Sequence, residues 1–387
     1  MLRDLISERE RDLPLSTIGT LIALAEDGKG VISLGAGELD YGPPPGVVRA
    51  TIRALKEGYT HYSPAPGRTE LREALVKKLK KENKIRVNPD QVMVTTGATE
   101  GIFMSLLCTV DPGEGVLVPD PGFLAFTPAV ELLNGMPLPV RLREEERFAY
   151  HTESMERAIV PKKTRVMIIN TPANPTGQVM TKKQLEEVAD FAVENELLIL
   201  SDEAYEKFVY GVEHVSIGSL NGMDDQVVTL QSFSKSFAMP GYRVGYATGP
   251  LPLIRAMSKI HVFTSICAPT LSQRAAVQAL KETAATARMV RAYDKRRTHM
   301  VKRVQEISGL SCLEPNGTFY VFVNIKELGM TSLRFSELLL KKAKVAVVPG
   351  TEFGRGGEGY IRLSYATAPK QVDVALDRIE RVVKRLK

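Results

Sequence analysis

From about residue 45 to 280, short apolar runs alternate with stretches whose apolar residues recur every three or four positions. The first kind reads as buried strands and the second as amphipathic helices. The spacing predicts a helix over Thr69 to Glu82, with Leu71, Leu75 and Leu79 on one face and Thr69 as its N-cap, and a similar one over Lys182 to Glu194. Strand and helix in alternation imply an α/β fold whose mostly parallel central sheet is flanked by helices.

How the apolar runs end is more informative. V-M-V-T-T-G (Val92 to Gly97), V-L-V-P-D-P (Val116 to Pro121), V-M-I-I-N-T (Val166 to Thr171), L-L-I-L-S-D-E (Leu197 to Glu203) and V-V-T-L-Q-S (Val227 to Ser232) all pass into polar or turn-forming residues. Open α/β sheets build their ligand sites at the C-terminal ends of strands, so five strands are expected to feed one site.

Beyond about residue 285 comes a long charged helical stretch, then T-F-Y-V-F-V (Thr318 to Val323), V-A-V-V-P-G (Val345 to Gly350), Y-I-R-L-S-Y (Tyr360 to Tyr365) and a final amphipathic helix. This reads as a smaller α+β domain. A helical pattern around Ile18 to Ala25 precedes the first sheet unit and is expected to pack on this smaller domain. The division expected is residues 45–283 for the large domain, with 1–44 and 284–387 forming the small one. No internal repeat is visible.

Composition narrows the function classes. A chain of 387 residues exceeds the ~100–200 residues of a usual domain, in keeping with two. The net charge of +6 is spread along the chain, and the lysines within 77–81 and 341–344 fall on amphipathic patterns with a solvated face, which argues against nucleic-acid binding. The opening M-L-R-D-L-I-S-E-R-E-R-D is charged at once, and no apolar run approaches the ~18 residues of a spanning helix. A cytoplasmic protein without membrane contact is expected. Cys108, Cys267 and Cys312 form no C-x-x-C pair and the five histidines are scattered, so neither a disulfide framework nor a metal site is indicated.

Candidate chemistry begins with Q-S-F-S-K-S-F-A-M-P-G-Y-R (Gln231 to Arg243), which follows a strand and sets Lys235 among serines and aromatics. A lysine in partly apolar surroundings near other cations has a lowered pKa and a free amine for imine formation. Taken alone, the segment fits an ordinary structural lysine better. Arg362 lies within an otherwise apolar strand, where a charge almost never sits unpaired.

Five motifs in register decide between these readings: G-A-G-E-L-D-Y (Gly35 to Tyr41), T-G-A-T-E-G (Thr96 to Gly101), N-T-P-A-N-P-T-G (Asn170 to Gly177), S-D-E-A-Y (Ser201 to Tyr205) with S-F-S-K (Ser232 to Lys235) and Arg243 behind it, and Y-I-R-L-S-Y-A-T (Tyr360 to Thr367). In these the chain resembles, over nearly its whole length, the class I family of pyridoxal-phosphate aminotransferases of the aspartate and aromatic type, which are fold type I enzymes. The resemblance implies that Lys235 carries pyridoxal 5′-phosphate as an imine, that Asp202 pairs with the pyridine nitrogen, and that Tyr205 and Asn174 bond the ring 3′-oxygen. It further implies a phosphate cup of Gly97, Ala98, Thr99, Ser232, Ser234 and Arg243, with Phe123 stacked on the ring. Arg362 matches the arginine that clamps the substrate α-carboxylate, beside the backbone of Gly37. Tyr62 matches a tyrosine that reaches the phosphate of the neighbouring subunit, which implies a homodimer with shared sites. Asn170 fits a supporting role and an ordinary turn equally.

The reaction implied is a ping-pong transfer of an amino group from an L-amino acid to a 2-oxo acid, 2-oxoglutarate first among them. Thr99 stands where some aspartate-specific relatives carry a lysine, so an aromatic or broad donor range is expected, with aspartate second and Arg68 a weak candidate for any distal contact. Leu39, Pro240 and Tyr242 depart from the family's commoner spellings without touching the chemistry. Three rivals remain open: a β-elimination lyase on the same cofactor, a non-catalytic binding protein on the same fold, and a serine acyl-transfer enzyme using S-x-x-K, for which S-D-N and K-T-G are missing.

Overall fold

The computed structural model describes residues 5–11, 13 and 30–386. The expected helix at Ile18 to Ala25 lies outside them. In chain order the strands are β1 (Ile32–Ser33), β2 (Val92–Thr95), β3 (Gly115–Asp120), β4 (Met136–Arg141), β5 (Thr164–Asn170), β6 (Leu198–Asp202), β7 (Val227–Ser232), β8 (Gly245–Thr248), β9 (Ser311–Cys312), β10 (Tyr320–Asn324), β11 (Val345–Ala346), β12 (Val348–Pro349) and β13 (Tyr360–Ser364).

Seven of them form the central sheet, in the order β2-β8-β7-β6-β5-β3-β4. Every neighbouring pair is parallel except the two that β8 makes with β2 and β7. All five strands expected from the apolar runs are present. Strands β2, β3, β7 and β8 are buried throughout, because helices cover both faces and water reaches neither.

Two strands were not legible. In β4, M-P-L-P-V-R, Pro137 and Pro139 lack the N–H groups that signal a strand, yet they stand opposite Val116 and Val118 of β3. The strand lies at the sheet's edge, where prolines facing outward cost no ladder bond and discourage pairing with another chain. The other, β8, is a four-residue G-Y-A-T too short to show a period.

The helix expected over Thr69 to Glu82 is α-helical over Thr69–Lys78 and widens to a π-helix at Leu79–Asn83. Its cap is a correction: Arg68, not Thr69, is the N-cap, and its side chain makes no capping bond. The Arg68 backbone N–H is held instead by Gln273 Oε1 at 2.8 Å. Lys182–Glu194 is a helix as expected, started by a reciprocal capping box between Thr181 and Gln184.

Near the chain ends, β12-β13-β10-β9 form an antiparallel sheet, and β1 pairs in parallel with β11, joining residues 32–33 to 345–346. The long helix is Thr283–Gln305 and the last Pro369–Val383, whose Val372, Leu376, Ile379 and Val383 are buried against this sheet.

Candidate active site

Strands β3, β5, β6 and β7 end together, at Asp120, Asn170, Asp202 and Ser232. Their register sets Asn170 directly beside Asp202. Asn170 Nδ2 donates to the Asp202 carbonyl at 2.9 Å, and its Oδ1 accepts from the Asn174 N–H at 2.8 Å. Asn170 thus builds the turn that presents Asn174. Over this edge lies a cleft of about 260 Å³ whose wall brings together Gly37, Gly97, Ala98, Thr99, Phe123, Asn174, Asp202, Tyr205, Ser232, Ser234, Lys235, Arg243 and Arg362. Tyr62 does not line it and is 79% exposed. Nor does Arg68, whose Nε bonds Glu70 at 2.5 Å and whose guanidinium covers the Tyr59 ring.

One end of the cleft suits an anion. Gly97 sits at φ +103° between β2 and the helix Ala98–Thr109, whose first N–H groups and positive dipole end face the cleft. A Cβ on Gly97 would stand 2.7 Å from Arg243 Nη2, so a side chain here would push the guanidinium aside. Arg243 is anchored on the carbonyls of Thr96 and Pro240, at 3.0 and 2.9 Å. Ser232 Oγ accepts from the Ser234 N–H at 3.1 Å, and both serines line the cleft. Beneath them Glu100, unnoticed in T-G-A-T-E-G, accepts from the Thr96 N–H and from Ser265 and lies 3.3 Å from His261. Burial alone would raise its pKa, but these donors hold the Glu100 carboxyl down at about 2, so it stays ionised and pins the turn.

At the floor, burial pushes the Asp202 carboxyl up to about 7, the nearby Glu203 adding to the rise and the Ala204 N–H, at 3.0 Å, opposing it. Among the described residues Asp202 has no cation. Lys235 is pulled down to about 8, first by burial and further by Arg362 and Arg243, against the pull of Glu38. Its Nζ donates to the Gly37 carbonyl. A buried acid awaiting a cation, an amine that gives up its proton far more readily than a free lysine and an anion cup on one wall match the nitrogen, aldehyde and phosphate of pyridoxal phosphate.

Arg362 is 2% exposed. Its Nη1 donates to Asn174 Oδ1 at 2.8 Å and its Nη2 to the Gly35 carbonyl at 2.9 Å, while Nε has no partner. Among the described residues no carboxylate reaches it. A guanidinium stripped of water without a counter-ion is costly, and here the residue lines the cleft with its buried Nε left unpartnered. Below it lies Tyr320, its ring centroid 4.1 Å from the guanidinium carbon and its hydroxyl 3.0 Å from that of Tyr205. The sequence reading passed over Tyr320; the available signal was a hydroxyl inside the otherwise apolar T-F-Y-V-F-V.

Behind the floor, Glu203, Glu206 and His214 stand close enough to hold a metal ion. Their oxygens are already engaged: Glu206 by Lys78, Asn83 and Gln231, and Glu203 by Ser201, Ser216, Gln231 and His214. The cluster is a hydrogen-bonded support under β6 and β7.

Comparison with known proteins agrees with this geometry. The model of the family "Aminotransferase class I and II" matches residues 29–379. The chain is 45% identical over 387 residues to an aromatic-amino-acid aminotransferase 2 of Thermococcus litoralis, covering 99% of each. It is 45% identical to an aspartate aminotransferase of Pyrococcus abyssi, covering 96% of each. Among solved structures, an aromatic aminotransferase from Pyrococcus horikoshii superposes with a TM-score of 0.90 at 44% identity, over 94% of this chain and 99% of that one. An aspartate aminotransferase from Thermus thermophilus with maleate gives 0.93 at 35%, over 98% of this chain and 100% of that one. With an anion cup, a lowered lysine and a buried arginine without a counter-ion at one strand edge, and relatives of this kind along its whole length, the chain belongs to the class I and II aminotransferases.

Proposed function

We propose that this aminotransferase holds pyridoxal 5′-phosphate on Lys235 and moves the amino group of an L-amino acid, aromatic or broadly chosen, to 2-oxoglutarate by a ping-pong route. The observation that carries the reading is Arg362, a buried cation with an unpartnered Nε and no counter-ion, which lines the same cleft as Lys235. The bound cofactor supplies an electron sink for the substrate α-carbon. The chain's part is placement. Arg362 and Asn174 fix the α-carboxylate, Lys235 Nζ takes the proton from the α-carbon, and Asp202 holds a cation at the ring nitrogen. Phe123 lines the same cleft. Thr99, Ile102, Phe123 and Leu124 also border a second cleft of about 860 Å³, room for a large side chain and without the lysine that Thr99 replaces.

The terminal segments that carry Gly37 and Arg362 are proposed to form a smaller domain, residues 1–44 and 284–387, that closes on substrate. The protein is proposed to be a cytoplasmic homodimer with shared sites. In support, Cys108, Cys267 and Cys312 are unpaired thiols, no described helix is long and apolar enough to cross a membrane, and Tyr62 is exposed. The test is reduction of the yellow protein with borohydride and peptide mapping, then a donor screen with 2-oxoglutarate. The label is expected on Lys235, with tyrosine or phenylalanine at least matching aspartate; a label on another lysine sinks the assignment.

A further inference from the structure

Tyr320 stands on β10 where three groups of the cleft meet. Its ring centroid lies 4.1 Å from the Arg362 guanidinium carbon, and its hydroxyl is 3.0 Å from the Tyr205 hydroxyl. A Cβ on Gly37 would come within 3.6 Å of that hydroxyl, so the backbone that accepts from Lys235 runs directly past it. The ring is 1% exposed and is held edge-on to Tyr205 and tilted against Phe319.

We infer that Tyr320 is a positioning residue that ties the substrate-carboxylate clamp to the hydroxyl facing the cofactor ring. The inference rests on the proposed pyridoxal-phosphate reading. Each phenol has one proton, and burial raises the pKa of both, so both keep it. When Tyr205 donates into the cleft, the 3.0 Å contact requires Tyr320 to donate to Tyr205. A hydroxyl that accepts one hydrogen bond donates a stronger one, so Tyr320 strengthens the bond that Tyr205 offers the ring oxygen. The other face of the same residue serves the substrate. With Nη1 and Nη2 held by Asn174 and Gly35, the Tyr320 ring beneath the guanidinium carbon supports the group from its face and so helps to hold it in place. The charged groups facing the two phenols are Arg362 and Asp202, with Lys235 nearby across the cleft.

Two substitutions separate these roles in the holoenzyme. Tyr320→Phe keeps the ring and loses the hydroxyl, whereas Tyr320→Leu loses both. The readouts are the pH midpoint of the bound cofactor's visible absorbance and the dissociation constants of two unreactive carboxylates, succinate and 3-phenylpropanoate, followed by that absorbance. The expected result for Tyr320→Phe is a midpoint raised by about one pH unit, with carboxylate affinities within about threefold of wild type. Tyr320→Leu should raise the midpoint equally and weaken both carboxylates about tenfold. A Phe variant whose midpoint matches wild type, or a Leu variant that binds carboxylates normally, overturns the inference. A wild-type protein that binds no pyridoxal phosphate would instead remove the reading on which it rests, and is told apart by having no visible band to titrate.

Discussion

Arg362 shows how one residue is made costly for a purpose. Removing its charge gives up two hydrogen bonds, to Asn174 and Gly35, but also relieves a guanidinium buried without a counter-ion, and these effects offset one another in the folded chain. Arg362→Leu is therefore expected to melt within a few degrees of wild type while losing about 3–5 kcal/mol of kcat/KM on every amino-acid donor, since all share the α-carboxylate. A loss confined to dicarboxylic donors would place Arg362 at the far end of the substrate. Asp202 makes the opposite case, a group whose folded pKa of about 7 is raised above its ordinary 3.8. In that window the folded state binds more protons than the unfolded one, so Asp202 erodes stability as pH rises toward 7 and adds nothing further above it. Cofactor-free Asp202→Asn should lack this slope, gaining on wild type by a few kcal/mol between pH 5 and 8 in urea unfolding. Equal slopes in the two proteins would mean that the carboxyl ionises at its usual pH.

Elements, rather than residues, decide what was legible in the chain. Buried parallel strands read clearly because their runs are continuous and apolar. Pro137 and Pro139 hid β4, since proline's missing donor argues against a strand until the strand is known to lie at an edge. The Thr69 cap failed for a tertiary reason, as Gln273, some 200 positions away, satisfies the backbone at Arg68. In the cleft, the residues on which the motifs converge were readable, whereas Tyr320 and Glu100 act through contacts with Arg362, Tyr205, His261 and Ser265 that no local spacing records. The strand-to-helix turn at Gly97 carries its own prediction. Gly97→Ala meets both an unfavourable φ of +103° and the Arg243 guanidinium at 2.7 Å, which together should cost about 1–3 kcal/mol of local strain. Pyridoxal phosphate should bind at least about tenfold more weakly, with the far-ultraviolet circular dichroism unchanged. Tight binding by this variant would place the phosphate elsewhere.

On the scale of the whole molecule, some of the exposed apolar residues belong to a segment that packs beside Tyr62. Phe263 is 83% exposed and Val262 48%, and they precede Cys267, whose sulfur accepts from the Ser63 N–H. A face of this kind is expected to be covered by a second copy under two-fold symmetry, with Tyr62 serving the partner's cleft. Tyr62→Glu and Lys235→Ala would then damage different clefts of one dimer. Unfolded and refolded together in equal amounts, the two inactive variants should recover about a quarter of wild-type activity, because about half the dimers are mixed and each of those keeps one intact cleft. Differentially tagged mixed dimers that remain inactive would show that Tyr62 acts within its own chain.

The clamp also has a place in time. The central sheet is complete at Thr248, and Lys235, Asp202 and the phosphate-facing turn all precede it, but Arg362 comes only 25 residues before the end of the 387-residue chain. Synthesis runs from the N-terminus and domains fold in that order, so the sheet can form before β13 has been made. A nascent chain is therefore expected to display the lysine and the anion cup before it has any means of gripping an amino acid.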